Sequence, residues 1–188
     1  WLKQNTHTWD HRGDAIKNVW NTTISGAVLC NQVIDILNKY KDSMSEAVYA
    51  QYVGEVEVLR SYYFYLLFDC FGRIPYLEEF VDVTNPLMEP QDVWSHLVNC
   101  LERNAPNMPK VTDANRASNY GRVTQGFAYS LLARLYLNAE SFDCTADNVT
   151  LNDNTQYRSS YVPVNSATDF YSNAVACCDE VISSGAYA

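Results

Sequence analysis

The sequence predicts an all-α protein built from helical hairpins. Apolar residues recur at helical spacing in several separate segments, and loops rich in proline, asparagine and aspartate divide these segments from one another. No segment shows the alternation of apolar and polar residues that is typical of a strand. The length of 188 residues, with 47% hydrophobic and 19% charged residues, suits one large globular domain or one and a half small ones.

The first two predicted helices form a hairpin. Residues 14–40 carry apolar side chains at helical spacing without a proline, which indicates one long amphipathic helix. Ser43, with Glu46 three residues later, has the spacing of a capping box and predicts the start of the second helix. That helix should end at Gly72, and Pro75 prevents it from resuming. Because few residues join the two helices, we expect them to pack antiparallel.

The second helix contains the dense aromatic run YYFY. At about 3.6 residues per turn these four rings cannot all lie on one face. Tyr62 and Tyr65 share a face, whereas Tyr63 and Phe64 point elsewhere. A helix that is apolar nearly all round packs against neighbours on several sides. We therefore interpret the run mainly as core packing.

Three further helices are predicted after a connector that contains two prolines. They lie at residues 91–104, within 120–140, and within 166–187, where Ser166 and Asp169 have the spacing of a helix cap. Residues 142–165 are polar, lack periodicity and indicate a long loop. The order is thus a hairpin, a second hairpin and a last helix without a partner, which would leave an apolar face open. We expect residues 1–188 to be one N-terminal helical region of a longer protein.

Charge and composition exclude several classes of function. A net charge of −9 with 13 dispersed Lys and Arg residues argues against binding nucleic acid or an anionic membrane. No run of about 18 apolar residues is present, and the start WLKQNTHTWD lacks the features of a signal peptide. The six cysteines show no metal-ligand spacing, so we expect no cofactor and interpret Cys30, Cys70 and Cys100 as buried apolar side chains.

Three segments, taken in order, resemble the SusD/RagB family of outer-membrane nutrient-binding lipoproteins. LRSYYFYLLFDCFGRIPY is similar to that family's Leu-Arg-Ala-Tyr-Tyr-Tyr helix, which ends in Phe-Gly-Asp-(Val/Ile)-Pro. GRVTQGFAYSLLARLYLNA and FYSNAVACCDEVISSGAY are similar to two later helices of the family. Ser61 and Arg73 depart from the usual Ala and Asp. Because the order and the spacing agree, the resemblance covers the chain from about Asp14 onwards.

The resemblance implies a fold and a function. The implied fold consists of tetratricopeptide-like helical hairpins packed as a right-handed superhelix with long connecting loops. The implied function is non-catalytic binding of glycans or other nutrients on the extracellular face of the outer membrane, and delivery to a SusC-like TonB-dependent transporter. A lipid anchor upstream of this chain would supply the only membrane attachment. The alternative is a tetratricopeptide-type scaffold for protein–protein interaction.

Candidate ligand-binding residues lie in two polar segments that contain aromatic side chains. Sugar rings stack their apolar C–H faces on Trp and Tyr, while their hydroxyls require polar partners beside the aromatic ring. The segments WLKQNTHTWDHRGD and LNDNTQYRSSY have this composition, although an ordinary surface loop would have it too. The candidates are Asn5, Trp9, His11, Arg12, Tyr157, Arg158 and Tyr161. The tyrosines of the aromatic run are the alternative platform for stacking.

Catalysis is not expected from this sequence. Paired carboxylates such as Glu78 and Glu79 occur, but glycoside hydrolysis needs two carboxylates held about 5–9 Å apart in a cleft. These two follow Pro75 in the connector, where we expect them to be solvated. No GxSxG, HExxH, P-loop or GxGxxG motif is present. We therefore expect a binding protein.

Overall fold

The computed structural model describes residues 2–11, 13–81, 86–145, 147–151 and 170–187. The α-helices are α1 (Leu2–Asn5), α2 (Asp14–Lys39), α3 (Glu46–Phe71), α4 (Pro90–Asn104), α5 (Gln125–Leu137) and α6 (Phe170–Ser183). Short 3-10 segments lie at Lys41–Ser43, Ala105–Asn107 and Ala139–Phe142. Across these described ranges there is no β-strand, only an isolated bridge between Ile74 and Met88. The prediction of an all-α protein is confirmed.

Helices α2 and α3 form the predicted hairpin, but the cap of α3 differs from the expected one. Ser43 lies in the 3-10 turn, and Ser45 occupies the N-cap, where its hydroxyl accepts a bond of 3.4 Å from the amide of Val48. The prediction of a capping box at Ser43 is wrong because the chain makes one extra turn before α3 begins. At the other end, Gly72 has φ +70°, a conformation that favours glycine, and it ends α3 as predicted.

Helix α3 lies in the middle of the core. Phe64 and Tyr65 of the aromatic run are buried, while Tyr62 and Tyr63 are half-buried. Phe64 packs on Tyr76 of the connector with ring centroids 4.5 Å apart, and Tyr62 meets Phe127 of α5 edge-on at 5.4 Å. The run therefore faces several neighbours, and its interpretation as core packing is confirmed.

The remaining helices continue the stack. Helix α4 packs against α3 and α5, and α5 packs most extensively against α6. As expected, no helix after α6 pairs with it in the described residues, although α6 packs against α5, the helix before it. Gly126 of α5 lets the ring of Tyr187 approach so closely that a Cβ atom would collide with it. The face of α6 that carries Tyr171, Val175 and Ile182 is exposed. Of the predicted final segment, residues 166–169, including its Ser166 and Asp169 cap, lie outside the described residues.

A buried arginine fixes the connector after α3. Arg60 is 2% exposed, and its guanidinium donates bonds of 2.9 Å to the side-chain oxygen of Asn31 and to the backbone oxygen of Glu78. The amide of Asn31 donates in turn to the backbone oxygens of Leu77 and Glu79, at 2.8 and 3.2 Å. This network holds the connector against both helices of the hairpin.

None of the helices within the described ranges has the length and apolarity needed to cross a membrane. None of the six cysteines, all of which lie within the described residues, forms a disulfide. Cys30 and Cys100 are buried as expected, but Cys70 is exposed. The expectation for Cys70 is wrong because it lies in the last turn of α3, where the helix leaves the core.

Candidate functional site

The N-terminal segment folds onto the start of α2. The amide of Thr8 donates to the backbone oxygen of Lys3 at 2.9 Å, and the amide of Gly13 donates to that of Asp10 at 3.0 Å. Gly13 is the N-cap of α2 and has extended backbone angles. These bonds turn the segment so that Trp9 and His11 lie beside the first turns of α2.

A cavity of about 480 Å³ lies beneath Trp9, and we call it the Trp9 cavity. Its lining is mostly apolar and consists of Trp9, His11, Ala15, Ile16, Val19, Cys70 and Phe71. The indole of Trp9 is 54% exposed, so one part of the ring covers the cavity and the other meets solvent. The cavity exists because the antiparallel hairpin brings the last turn of α3 beside the first turns of α2.

The wall of the Trp9 cavity that α3 forms is held in place by packing against α2. Phe71 packs edge-on against Trp20 of α2, with ring centroids 5.0 Å apart. Cys70 also lines the cavity. Partial burial, with a smaller contribution from the Asp69 carboxylate, raises the pKa of the Cys70 thiol, so at neutral pH it is a small neutral group. The wall therefore offers apolar surface and no charge.

The chemistry of the Trp9 cavity suits an apolar ligand face. An exposed indole over a shallow apolar cavity provides a platform on which the C–H face of a sugar ring can stack. His11 is the one lining side chain that carries a strong hydrogen-bonding group besides the indole N–H. The cavity can therefore hold one face of a ring, while most of the hydroxyls of that ring would point to solvent.

The structure brings together some of the candidate residues that the sequence suggested. Trp9 and His11 line the same cavity, whereas Asn5 is exposed at the end of α1 and does not line it. Arg12, Tyr157, Arg158 and Tyr161 lie outside the described residues.

Sequence reasoning did not assign Ile16, Val19, Cys70 and Phe71 to a site. The predicted hairpin could have indicated these residues. Antiparallel packing of two helices of equal length places the end of the second beside the start of the first.

A second cavity, of about 550 Å³, lies between the start of α3 and the end of α4. Its lining contains alanine, arginine and amide side chains but no aromatic ring, so it offers no stacking platform. Within the part of the chain that the structure describes, no group of three or more His, Cys, Asp or Glu side chains could hold a metal ion. The Trp9 cavity is thus the better candidate for a glycan.

Comparison with known protein families and structures identifies similar proteins of one family. A SusD-like family, described as "starch-binding associating with outer membrane", matches residues 1–137 of this chain. None of the curated proteins matches the sequence.

Among solved structures, a surface glycan-binding protein A from Bacteroides uniformis is 29% identical, with a TM-score of 0.58 over 66% of this chain. A SusD-like protein from Bacteroides fragilis is 17% identical and has a TM-score of 0.72 over 98% of this chain. A laminarin-binding SusD-like protein is 22% identical, with a TM-score of 0.57 over 65% of this chain. The matched regions are 28%, 30% and 26% of those three proteins, so this chain spans less than a third of their length.

Proposed function

This chain belongs to the SusD-like family, described as starch-binding and associating with the outer membrane, and we propose that it binds glycans or other nutrients at the cell surface without catalysing a reaction. The single observation that carries the proposal at the level of residues is the exposed indole of Trp9 above an apolar cavity of about 480 Å³. Two proteins of related fold are named as a surface glycan-binding protein and a laminarin-binding protein, which supports the same class of ligand.

In the proposed complex, a sugar ring stacks on Trp9, and His11 donates or accepts one hydroxyl bond. Asn5, Arg12, Tyr157, Arg158 and Tyr161 are proposed as further contacts because their side chains offer hydroxyl-binding groups and stacking surface. Bound ligand would then pass to a SusC-like TonB-dependent transporter, with the protein held at the membrane by a lipid anchor outside this chain. The net charge of −9 fits a neutral ligand better than an anionic one.

Substitution of Trp9 tests the site. We expect Trp9→Ala to weaken binding of maltoheptaose or of a laminarin oligosaccharide by more than about 1 kcal/mol, because the stacking surface is lost. The thermal midpoint should stay nearly unchanged because Trp9 is more than half exposed. Calorimetric titration gives the affinity, and circular dichroism gives the midpoint.

Tyr120→Ala is the matched control, since that ring is 92% exposed and does not line the Trp9 cavity. It should leave the affinity unchanged. An affinity that is the same in Trp9→Ala and in the original protein would remove Trp9 from the site while leaving the class of function open.

Purification of the protein from its native outer membrane tests the partner. A TonB-dependent barrel that co-purifies at near one-to-one stoichiometry would support delivery to a transporter. Recovery of soluble proteins alone would replace this role with that of an interaction scaffold.

A further inference from the structure

A third cavity, of about 430 Å³, lies between the connector after α3, the outer face of α4 and Thr150, and we call it the α4 cavity. Its lining consists of Glu78, Asp92, Ser95, His96, Asn99, Cys100, Arg103 and Thr150. It shares no lining residue with the Trp9 cavity. Apart from the thiol of Cys100, every side chain in this lining is strongly polar, which is the reverse of the composition beneath Trp9.

The wall formed by Thr150 is fixed to α4. The amide of Thr150 donates to the hydroxyl of Ser95 at 3.0 Å, and its backbone oxygen accepts from the side-chain amide of Asn99 at 2.8 Å. The Ser95 hydroxyl itself donates to the backbone oxygen of Gln91 at 2.6 Å. Two successive turns of α4 therefore hold this wall.

Glu78 is held so that one of its oxygens stays available. The hydroxyl of Tyr76 donates to Oε1 of Glu78 at 2.7 Å, and the guanidinium of Arg60 lies 3.4 Å from the same oxygen. The Glu78 side chain remains 44% exposed. Since both interactions go to Oε1, Oε2 can accept a charge-assisted hydrogen bond from a ligand hydroxyl.

Asp92 and His96 lie one turn apart on α4 and so share its outer face. The imidazole of His96 stacks on the ring of Tyr76, with centroids 5.0 Å apart and planes inclined by 28°. This contact sets the plane of the imidazole and leaves its nitrogens to bond with a ligand. The cavity thus presents acceptors on Glu78 and Asp92, and groups that can donate on His96.

The charges in the α4 cavity determine which ligands it can take. Arg60 balances Glu78, and Arg103 is paired with Glu57 at 2.8 Å. Asp92 has no such cation beside it among the ion pairs of the described residues. The lining therefore carries a net negative charge, which repels carboxylate or sulfate groups but accepts hydroxyl donors.

We propose that the α4 cavity is a second sugar subsite, which binds one neutral sugar unit through its hydroxyls. This inference rests on the proposed function, because it assigns a further contact to the same class of ligand. The two cavities would divide the recognition of a glycan: the Trp9 cavity takes the apolar face of a ring, and the α4 cavity takes hydroxyls. A volume of about 430 Å³ is sufficient for a single sugar ring.

The test uses Asp92→Asn, which removes the unbalanced charge and changes the size of the side chain little. Neutral oligosaccharides of starch and laminarin, and an oligogalacturonate of equal length, are titrated into the original protein, Asp92→Asn and Trp9→Ala. We expect Asp92→Asn to bind the neutral oligosaccharides about tenfold more weakly, because a charge-assisted bond becomes a neutral one. The original protein should bind the oligogalacturonate at least about tenfold more weakly than the neutral oligosaccharides.

Asp113→Asn is the matched control, since the Asp113 carboxylate is 96% exposed and does not line the cavity. Its affinity should equal that of the original protein, and both variants should keep the original thermal midpoint. Weakening by Trp9→Ala but not by Asp92→Asn would overturn the second subsite and leave the proposed function intact. Tighter binding of the oligogalacturonate would also overturn it. Absence of any binding to the original protein would overturn both.

Discussion

Helices α2 and α3 have the same length of 26 residues and pack against each other, yet they use their side chains differently. Helix α2 buries only four residues, all small or polar: Thr23, Ala27, Cys30 and Asn31. It exposes large apolar side chains such as Val28, Leu29 and Ile36. Helix α3 buries large ones, including Phe64, Tyr65, Leu67 and Phe68.

The difference follows from position in the stack. Helix α3 packs against α2 on one side and α4 on another, so most of its circumference is apolar. Helix α2 has α3 as its main neighbour, and its small residues let the two backbones come close: a Cβ atom on Gly26 would collide with the ring of Tyr63. A given type of apolar residue should therefore contribute much to the free energy of unfolding in α3 and little on the outer face of α2.

Matched leucine substitutions give the largest expected contrast. Leu67 of α3 is fully buried at 0% exposure, whereas Leu29 of α2 is 58% exposed. We expect Leu67→Ala to lower the free energy of unfolding by about 2–5 kcal/mol, because it removes buried apolar surface and leaves a cavity. Leu29→Ala should change it by less than about 0.5 kcal/mol. Urea denaturation monitored by circular dichroism measures both.

Equal losses in the two variants would mean that the outer face of α2 is covered in solution. A small loss for Leu67→Ala would mean that the core around α3 relaxes to fill the space, and the contrast between the helices would disappear.

The sequence predicted this contrast better than it predicted the site. Helical spacing, the YYFY run and the glycine that ends α3 are local features, and local features fix helix type and burial. The cap at Ser45 was not predicted because both Ser43 and Ser45 lie close enough to Glu46 to cap α3. Only the extra 3-10 turn, which contains Ser43, decides that Ser45 is the N-cap. The Trp9 and α4 cavities join segments distant in sequence. Glu78 is exposed as expected, but its sequence position did not indicate that Arg60 and Tyr76 hold it at the wall of the α4 cavity.

The next comparison is between a buried and an exposed arginine. Arg60 is the buried one, and it joins α3 to Asn31 of α2. Arg60→Met keeps most of the apolar stem but leaves the side-chain oxygen of Asn31 without its charged donor. We expect a loss of about 1–3 kcal/mol in the free energy of unfolding, the cost of an unsatisfied buried acceptor. The loss stays moderate because the partner Glu78 is 44% exposed and can be hydrated.

Arg73→Met is the matched control, because Arg73 pairs with Glu89 at the surface, where both side chains are more than half exposed. It should cost less than about 1 kcal/mol. A double-mutant cycle of Arg60→Met with Asn31→Ala should show coupling between the two helices. Additive losses would show that the bond between Arg60 and Asn31 does not join them.

The N-termini of the two helices also differ, and the expected effect on the free energy of unfolding is smaller than for Arg60. The hydroxyl of Ser45 caps α3, whereas Gly13 begins α2 without a side-chain cap. We expect Ser45→Ala to lower the free energy of unfolding by about 0.5–1 kcal/mol, the lower part of the usual range, because the bond to Val48 is long at 3.4 Å. Ser43→Ala, two residues earlier, should have almost no effect. The reverse result would restore the capping box that the sequence suggested.

The last comparison concerns one cysteine in each helix, and alkylating these residues should perturb stability least. Here the exposed residue belongs to α3 and the buried one to α2, the reverse of the leucine pair. Cys30 of α2 is buried, whereas Cys70 is exposed in the last turn of α3. With iodoacetamide under native conditions, Cys70 should be alkylated and Cys30 should not, as peptide mass spectrometry would show. The thiolate is the reactive form, and burial together with Asp69 raises the pKa of Cys70 above the ordinary value of 9.0. Its rate should therefore still be rising as the pH passes 9.

Cys70→Ser controls for the other thiols, and the Trp9 cavity gives the experiment a second readout. Because Cys70 lines that cavity, a bound glycan should slow its alkylation, while the exposed Cys178, which does not line it, should react at an unchanged rate. Equal alkylation of Cys30 and Cys70 would mean that the hairpin opens in solution on the timescale of the reaction. Protection of neither Cys70 nor Cys178 by a glycan that binds would place that glycan elsewhere on the protein.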